Sequence, residues 1–212
     1  MLKRAWYWGA VPLALTLALP AAAAGQGLEV FGYATIDYVD VEGEPQTFDA
    51  HNLNLVVLGK LLDDLFVAGE VEYEHGGDEI ALEYGYLAFR RWRHVNITAG
   101  KFIVPFGRFN QDHPAWISRV PGRPNGFARV LPATYNDVGV IVGGGLPVGH
   151  LSRVTYDLWW VNGLAGEDGA DIRAMRDNLE DVDGNKFVGG RLAYISRIGV
   201  NVGVSYQTGT YD

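Results

Sequence analysis

The sequence predicts an all-β fold, an antiparallel transmembrane β-barrel, from three observations: an export leader, a succession of strands with period-2 alternation, and almost no helical pattern. Lys3 and Arg4 supply a positive start, Val11 to Leu19 an apolar stretch, and Ala22-Ala23-Ala24 a small-residue cleavage site before Gly25. Residues 1–24 therefore read as a signal peptide and residues 25–212 as the barrel domain. The leader's apolar stretch is too short to cross a bilayer as a helix, and no later segment offers the roughly 18 consecutive apolar residues required. A chain of this kind crosses a membrane as strands.

The elements follow in order. In 28–40, Leu28, Val30, Ala34, Ile36 and Tyr38 are opposed by Glu29, Tyr33, Thr35 and Asp37. In 51–61, Leu53, Leu55 and Val57 stand opposite Asn52, Asn54 and Lys60. The alternation is clearest in 65–75, where Leu65, Val67, Gly69, Val71 and Tyr73 interleave with Phe66, Ala68, Glu70, Glu72 and Glu74. Segments 79–92, 95–103 and 137–144 read as strands with weaker alternation. In 153–160, Val154, Tyr156, Leu158 and Trp160 oppose Arg153, Thr155, Asp157 and Trp159. In 188–194, Val188, Gly190, Leu192 and Tyr194 oppose Gly189, Arg191 and Ala193. The last segment sets Val200, Val202, Val204 and Tyr206 against Asn201, Gly203, Ser205 and Gln207. About nine strands result, joined mostly by short turns such as His75-Gly76-Gly77-Asp78.

A soluble β-sandwich has the same period, so alternation by itself does not separate burial against a second sheet from burial against lipid. Three features favour lipid: strands of about ten residues, the leader, and aromatic residues near the ends of the apolar faces. Tyr38, Tyr73, Tyr84, Tyr156, Trp160 and Tyr194 are the expected interface residues. Nine strands is an odd number, whereas single-chain bacterial barrels normally have an even one. The last residues, Tyr211-Asp212, fall within or just past a strand and do not end on an aromatic residue, so the expectation is an N-terminal portion of a larger barrel.

Charge and composition narrow the partners. Removing Lys3 and Arg4 lowers the 17 basic residues to 15 against 25 acidic ones, a net charge of −10 that disfavours nucleic acid. The chain has no cysteine, which excludes disulfides, a thiolate metal site and a lipidated N-terminal Cys.

Two long loops interrupt the pattern. Residues 104–136 contain Pro105, Pro114, Pro121, Pro124 and Pro132, which block regular pairing. Lys101, Arg108, Arg119, Arg123 and Arg129 make this region locally basic, with Asp112 the lone acid. Folded into a lumen, the loop would place those cations at a pore constriction; held outside, it would pair them with wall carboxylates or lipid phosphates. The alternation turns Glu70, Glu72, Glu74, Glu83 and Asp157 to the lumen wall. Residues 163–186 form an acidic loop in which Asp181-Val182-Asp183-Gly184-Asn185 fails the EF-hand pattern, because Leu179 stands where the first carboxylate belongs. A solvated turn is expected there, with a short helix over 170–180.

Catalytic and metal motifs are lacking. Serines 118, 152, 196 and 205 show no G-x-S-x-G elbow, and histidines 51, 75, 94, 113 and 150 show neither H-E-x-x-H nor close pairing. Gly143-Gly144-Gly145-Leu146-Pro147-Val148-Gly149 superficially resembles a phosphate loop. It misses the G-x-G-x-x-G register and has no helix after Pro147, so a hairpin turn is expected.

The segment Gly100-Lys101-Phe102-Ile103-Val104-Pro105-Phe106-Gly107-Arg108-Phe109-Asn110 resembles the GKF-x-x-PFGR-[YF]-N segment of porin-like outer-membrane proteins, similar to the phosphate-selective porin O and P group. Glu83-Tyr84-Gly85-Tyr86-Leu87 resembles the preceding EAYL strand. Residues 185–194 resemble a later GGRL-x-Y strand, and residues 203–212 a GLSY…G-x-YD segment. The resemblance implies a barrel of about 16 to 18 strands, a passive channel for small hydrophilic solutes or ions, the cell outer membrane as its place, and a homotrimer. Phosphate selectivity is not implied, because the lumen-facing positions carry acids and no ladder of cations. An acidic wall facing a basic loop would set a transverse field that favours small polar solutes with weak ion preference. The expected partners are outer-membrane lipid and those solutes, with no cofactor, no metal and no catalysis. Alternatives are a non-conducting barrel or adhesin, with Phe31, Phe66 and Trp159 filling the lumen, and a secreted carbohydrate-binding sandwich.

Overall fold

The computed structural model describes residues 5–7, 27–41, 43, 45–112, 114, 117, 126, 134–165, 175, 180–181 and 184–210. Ten strands are formed: β1 (Ala5–Tyr7), β2 (Leu28–Val41), β3 (Thr47–Leu62), β4 (Leu65–Glu74), β5 (Glu79–Trp92), β6 (Val95–Ile103), β7 (Asn136–Pro147), β8 (Arg153–Val161), β9 (Phe187–Ile195) and β10 (Asn201–Thr208). Every strand pairs antiparallel with its sequence neighbours, giving one sheet in the order β1 to β10. Strands β2 to β10 correspond to the nine expected segments, with β5 and β6 at the bounds read from sequence. Of the expected leader, only β1 is described, and it pairs with Val39–Val41. Among the described residues β10 pairs only with β9, so the sheet is open and not a closed barrel. The helical pieces with described bounds are a 3-10 turn at His75–Gly77 and the single turn α1 (Phe109–Asp112), and no helix among the described residues is long and apolar enough to cross a membrane.

Alternation sorts the strands into two faces of opposite chemistry. On one face Ile36, Leu53, Leu55, Leu82, Leu87, Leu158, Trp160, Leu192, Val202 and Val204 are exposed, Val204 at 67 %. On the other, Asn54, Glu70 and Asp137 are buried at 2 % or less, together with Val56, Ala88 and Trp159. Period 2 dictates this division, because successive side chains on a pleated strand point to opposite sides. The chemistry is the reverse of a soluble protein, whose covered face is the apolar one.

The register explains why β5 shows weak alternation. Glu70 pairs with Tyr84 while Val71 pairs with Leu82, so Glu83 is an extra residue at a bulge. Ile80 and Leu82 therefore lie on the exposed face, whereas Tyr84 and Tyr86 lie on the covered one. Tyr84 was expected at the lipid interface; the bulge turns it toward Glu70 instead. The expected turn within 143–149 also moves: Gly143 to Pro147 belong to β7, and the turn is Val148 to Ser152, closed by Val148 N–H donating to the Ser152 carbonyl at 2.9 Å.

The sheet curls around its polar face. Strands β6 and β10 would lie about 19 Å apart in a flat sheet, four spacings of roughly 4.8 Å. Yet Gly107, four residues past the end of β6, donates its N–H to Ser205 Oγ of β10 at 3.0 Å. The chain between is not extended, since Phe106 N–H turns back to the Val104 carbonyl. Curvature brings the two together, and the segment after β6 crosses the concave side. There Phe102, Val104, Tyr135, Trp159, Val161 and Phe187 pack as a core, with Phe106 edge-on to Trp159 at 6.4 Å. Gly189 makes this possible, because a Cβ at that position would occupy the space of the Trp159 indole.

Candidate functional site

The concave face carries two polar networks. On β2 to β5, Tyr33 Oη donates to Glu70 Oε1 at 2.7 Å, and Asn54 Nδ2 donates to the same oxygen at 2.6 Å. Asn54 and Asn52 both donate to Glu72 Oε1, at 3.2 Å and 2.9 Å, and Thr35 Oγ1 donates to Asn52 Oδ1. The rows arise from register: Tyr33 faces Asn54, Asn54 faces Glu72, and Glu70 faces Tyr84. Each carboxylate is thus held by neutral donors, so it keeps its acceptor character while its orientation is fixed.

The second network lies on β7 to β10. Asp137 accepts from Val138 N–H at 2.7 Å, Gly163 N–H at 2.9 Å and Tyr135 Oη at 3.3 Å. Gln207 links Tyr135 to Trp159, receiving the indole N–H at 2.8 Å. Asp157 faces the buried Arg191 across β8 and β9, and Gly143 leaves room for its carboxylate.

The residues expected at a lumen wall are distributed as follows. Glu70 and Glu83 are buried on the concave side, Glu72 and Asp157 are half-buried there, and Glu74 follows on the same row toward the β4 end. Of the expected constriction residues, Lys101 is buried and paired across strands with Gly85 and Val138, the row adjacent to Phe102 and Asp137. Arg108 forms an ion pair with Asp112, four residues on, at the exposed end of α1. Arg119, Arg123 and Arg129 lie outside the described residues, as does most of the acidic 163–186 loop with its expected helix. In that loop, Asp181 accepts from Gly184 N–H and pairs with Lys186. Asp137 and the Arg191 partner of Asp157 were not singled out by sequence; their signal is a charged residue on the polar row of an otherwise apolar strand. Ser205, the serine of the polar face, is engaged by a backbone N–H and not by a histidine.

Connection lengths alternate between the two ends of the sheet. Residues 63–64, 93–94, 148–152 and 196–200 join strands at one end, and residues 42–46, 75–78, 104–135 and 162–186 at the other. At the second end, between β2, β3 and the 75–78 turn, His51 and His75 lie with Asp37 and Asp49.

Comparison with known proteins adds little to this geometry. No family model matches the chain, and no solved structure does. The chain is similar to an uncharacterized protein of Aquifex aeolicus (strain VF5), 25 % identical over 187 residues, which cover 82 % of this chain and 41 % of the relative. The chain thus spans less than half the length of that relative.

Proposed function

We propose that this chain forms part of the wall of an outer-membrane β-barrel of the porin kind, through which small hydrophilic solutes or ions diffuse passively. The observation that carries the reading is the inverted sheet: leucine, valine and tryptophan on the exposed face, and hydrogen-bonded Glu70, Glu72, Asn54 and Asp137 on the covered one. Lipid is the solvent that makes such an exterior stable, and water in a lumen is the one that makes such an interior stable. The alternation of short and long connections supports it, since barrels of this class keep short turns on the periplasmic side and longer loops outside. An open sheet in hydrocarbon would leave backbone groups unpaired at several kcal/mol each, so closure requires further strands or other copies. The resemblance of residues 100–110 to the porin O and P group fits, with a trimer as the assembly and an acidic wall that argues against phosphate as the solute. No catalytic role is proposed.

A second reading has one specific observation behind it. The Phe102, Tyr135, Trp159 and Phe187 cluster fills the concave side near β6 to β9, as in a non-conducting barrel whose loops do the binding. Expression with the native leader in a Gram-negative host, fractionation, and planar-bilayer recording separate these outcomes. Outer-membrane recovery with discrete conductance steps and weak ion preference is expected. Outer-membrane recovery with silent bilayers would favour the filled barrel, strong anion preference would contradict the acidic wall, and recovery in the soluble periplasmic fraction would overturn the membrane reading.

A further inference from the structure

We infer that Asp49, His51 and His75, with Asp37 beside them, form a binding site for a divalent transition metal ion of the Zn2+, Ni2+ or Cu2+ class. One ligand atom from each of Asp49, His51 and His75 lies within 4.8 Å of the others. His51 Nδ1 is 3.7 Å from Asp49 Oδ2 and 3.8 Å from Asp37 Oδ2, and His75 Nδ1 is 3.4 Å from Asp49 Oδ2. A tetrahedral ion with bonds of about 2.0–2.2 Å needs its ligand atoms about 3.3–3.6 Å apart. These three separations lie within a few tenths of an ångström of that spacing, and the two imidazoles, whose ligand atoms are within 4.8 Å of each other, close the rest by side-chain rotation. Two imidazoles and two carboxylates suit borderline metals, whereas Ca2+ and Mg2+ call for oxygen ligands alone.

The fold builds the cluster by two local departures from regular pairing. The β2 to β3 register runs Thr35 with Asn52 and then Asp37 with Asp49, so β3 holds one extra residue across the Ala50-His51 step. The bulge shifts the phase of β3 so that Asp37 stands opposite Asp49, and His51 Nδ1 lies within 4 Å of a carboxylate oxygen of each. His75 has φ 47, and Gly76 and Gly77 follow at φ 74 and 104. Three left-handed residues in a row fold the 75–78 turn back over the end of β3, and histidine, unlike a β-branched residue, tolerates that conformation. The two rings meet edge-on at 5.9 Å with Asp49 between them. An exposed His-Asp pair alone would need neither the second histidine nor the second carboxylate.

The site stands on hairpin geometry and does not depend on the pore reading. The test uses the full chain refolded in detergent at pH 7.5, titrated with ZnCl2 against a chromophoric chelator. The expected result is one equivalent of zinc bound. Affinity should fall about tenfold or more in His51→Ala and in His75→Ala, and stay unchanged in His150→Ala, which alters a histidine at the opposite end of the sheet. Electron paramagnetic resonance of the Cu2+ complex should show coupling to two imidazole nitrogens. Failure to bind one equivalent, or equal affinity in the wild type and the His51→Ala/His75→Ala double variant with an unchanged circular dichroism spectrum, would overturn the assignment. Should the double variant misfold, a Cu2+ spectrum of the wild type without two-nitrogen coupling overturns it independently.

Discussion

Leu158→Arg probes the solvent of the exposed face. Leu158 is 60 % exposed, with Val142 and Gly190 opposite it on the neighbouring strands. It lies five residues from Arg153 and three from Val161, the ends of β8. With a rise of about 3.4 Å per residue and a tilt of about 45°, that is roughly 7 to 12 Å of height from either end. In a barrel wall an apolar band about 25 Å tall would enclose it well away from both interfaces. Arginine there should cost about 2 to 4 kcal/mol in a bilayer, whereas on a water-facing surface the same substitution would stay within about 0.5 kcal/mol. With a urea slope near 2 kcal/mol per molar, the midpoint should fall by about 1 M or more. Tryptophan fluorescence in phosphatidylcholine vesicles reports the transition. A shift below about 0.25 M, corresponding to that 0.5 kcal/mol, would place the face in water and refute the reasoning.

Three further outcomes are expected. Glu70→Ala strands the Tyr33 hydroxyl and one Asn54 bond in a covered site, which should cost about 2 to 4 kcal/mol, while Glu70→Gln keeps an acceptor oxygen and should lose less in the same urea titration. Gly189→Val must displace the Trp159 indole, costing about 1 to 3 kcal/mol and shifting the emission maximum of that buried tryptophan toward the red. His75 has its pKa raised, first by its hydrogen bond to Asp49 and then by the charge of that carboxylate. A raised histidine pKa stabilises the fold below the unfolded value near 6.5, and that contribution is lost as pH rises through the folded pKa. An NMR titration should therefore give His75 a higher midpoint than it has in Asp49→Asn, and equal midpoints would remove Asp49 as the cause.

The strands were legible wherever one residue-by-residue period ran unbroken, as in β4 and β9, because each face meets a single environment and the sequence records it. Legibility failed where the period changes phase. In β5 the Glu83 bulge exchanges the faces of the positions before and after it, so Leu82 and Tyr84, both even-numbered, end on opposite sides. The common row of Glu70, Glu72 and Glu74 was legible because they share one clean strand. The His51 and His75 pair could not, since its members are 24 residues apart in sequence and meet only through the β3 to β4 pairing and a bulge. Gly189 likewise gives no sign in sequence that it exists to admit a tryptophan from the adjacent strand.

Pairing between sequence neighbours alone gives the molecule a modular grammar. Each hairpin can dock on the last exposed edge without threading past earlier ones, so the sheet can lengthen or shorten by two strands and leave the remaining register intact. The hydrogen bonds from β10 to more distant parts of the chain are exceptions, Gln207 to Trp159 and Tyr135 and, across 98 residues, Ser205 to Gly107, and none can form until β10 has been laid down. They divide construction into two stages: hairpins added one by one, then a clasp drawing the segment after β6 onto the polar face. Variants that shorten the run from β7 to β10 would leave the early hairpins complete and the clasp without a partner.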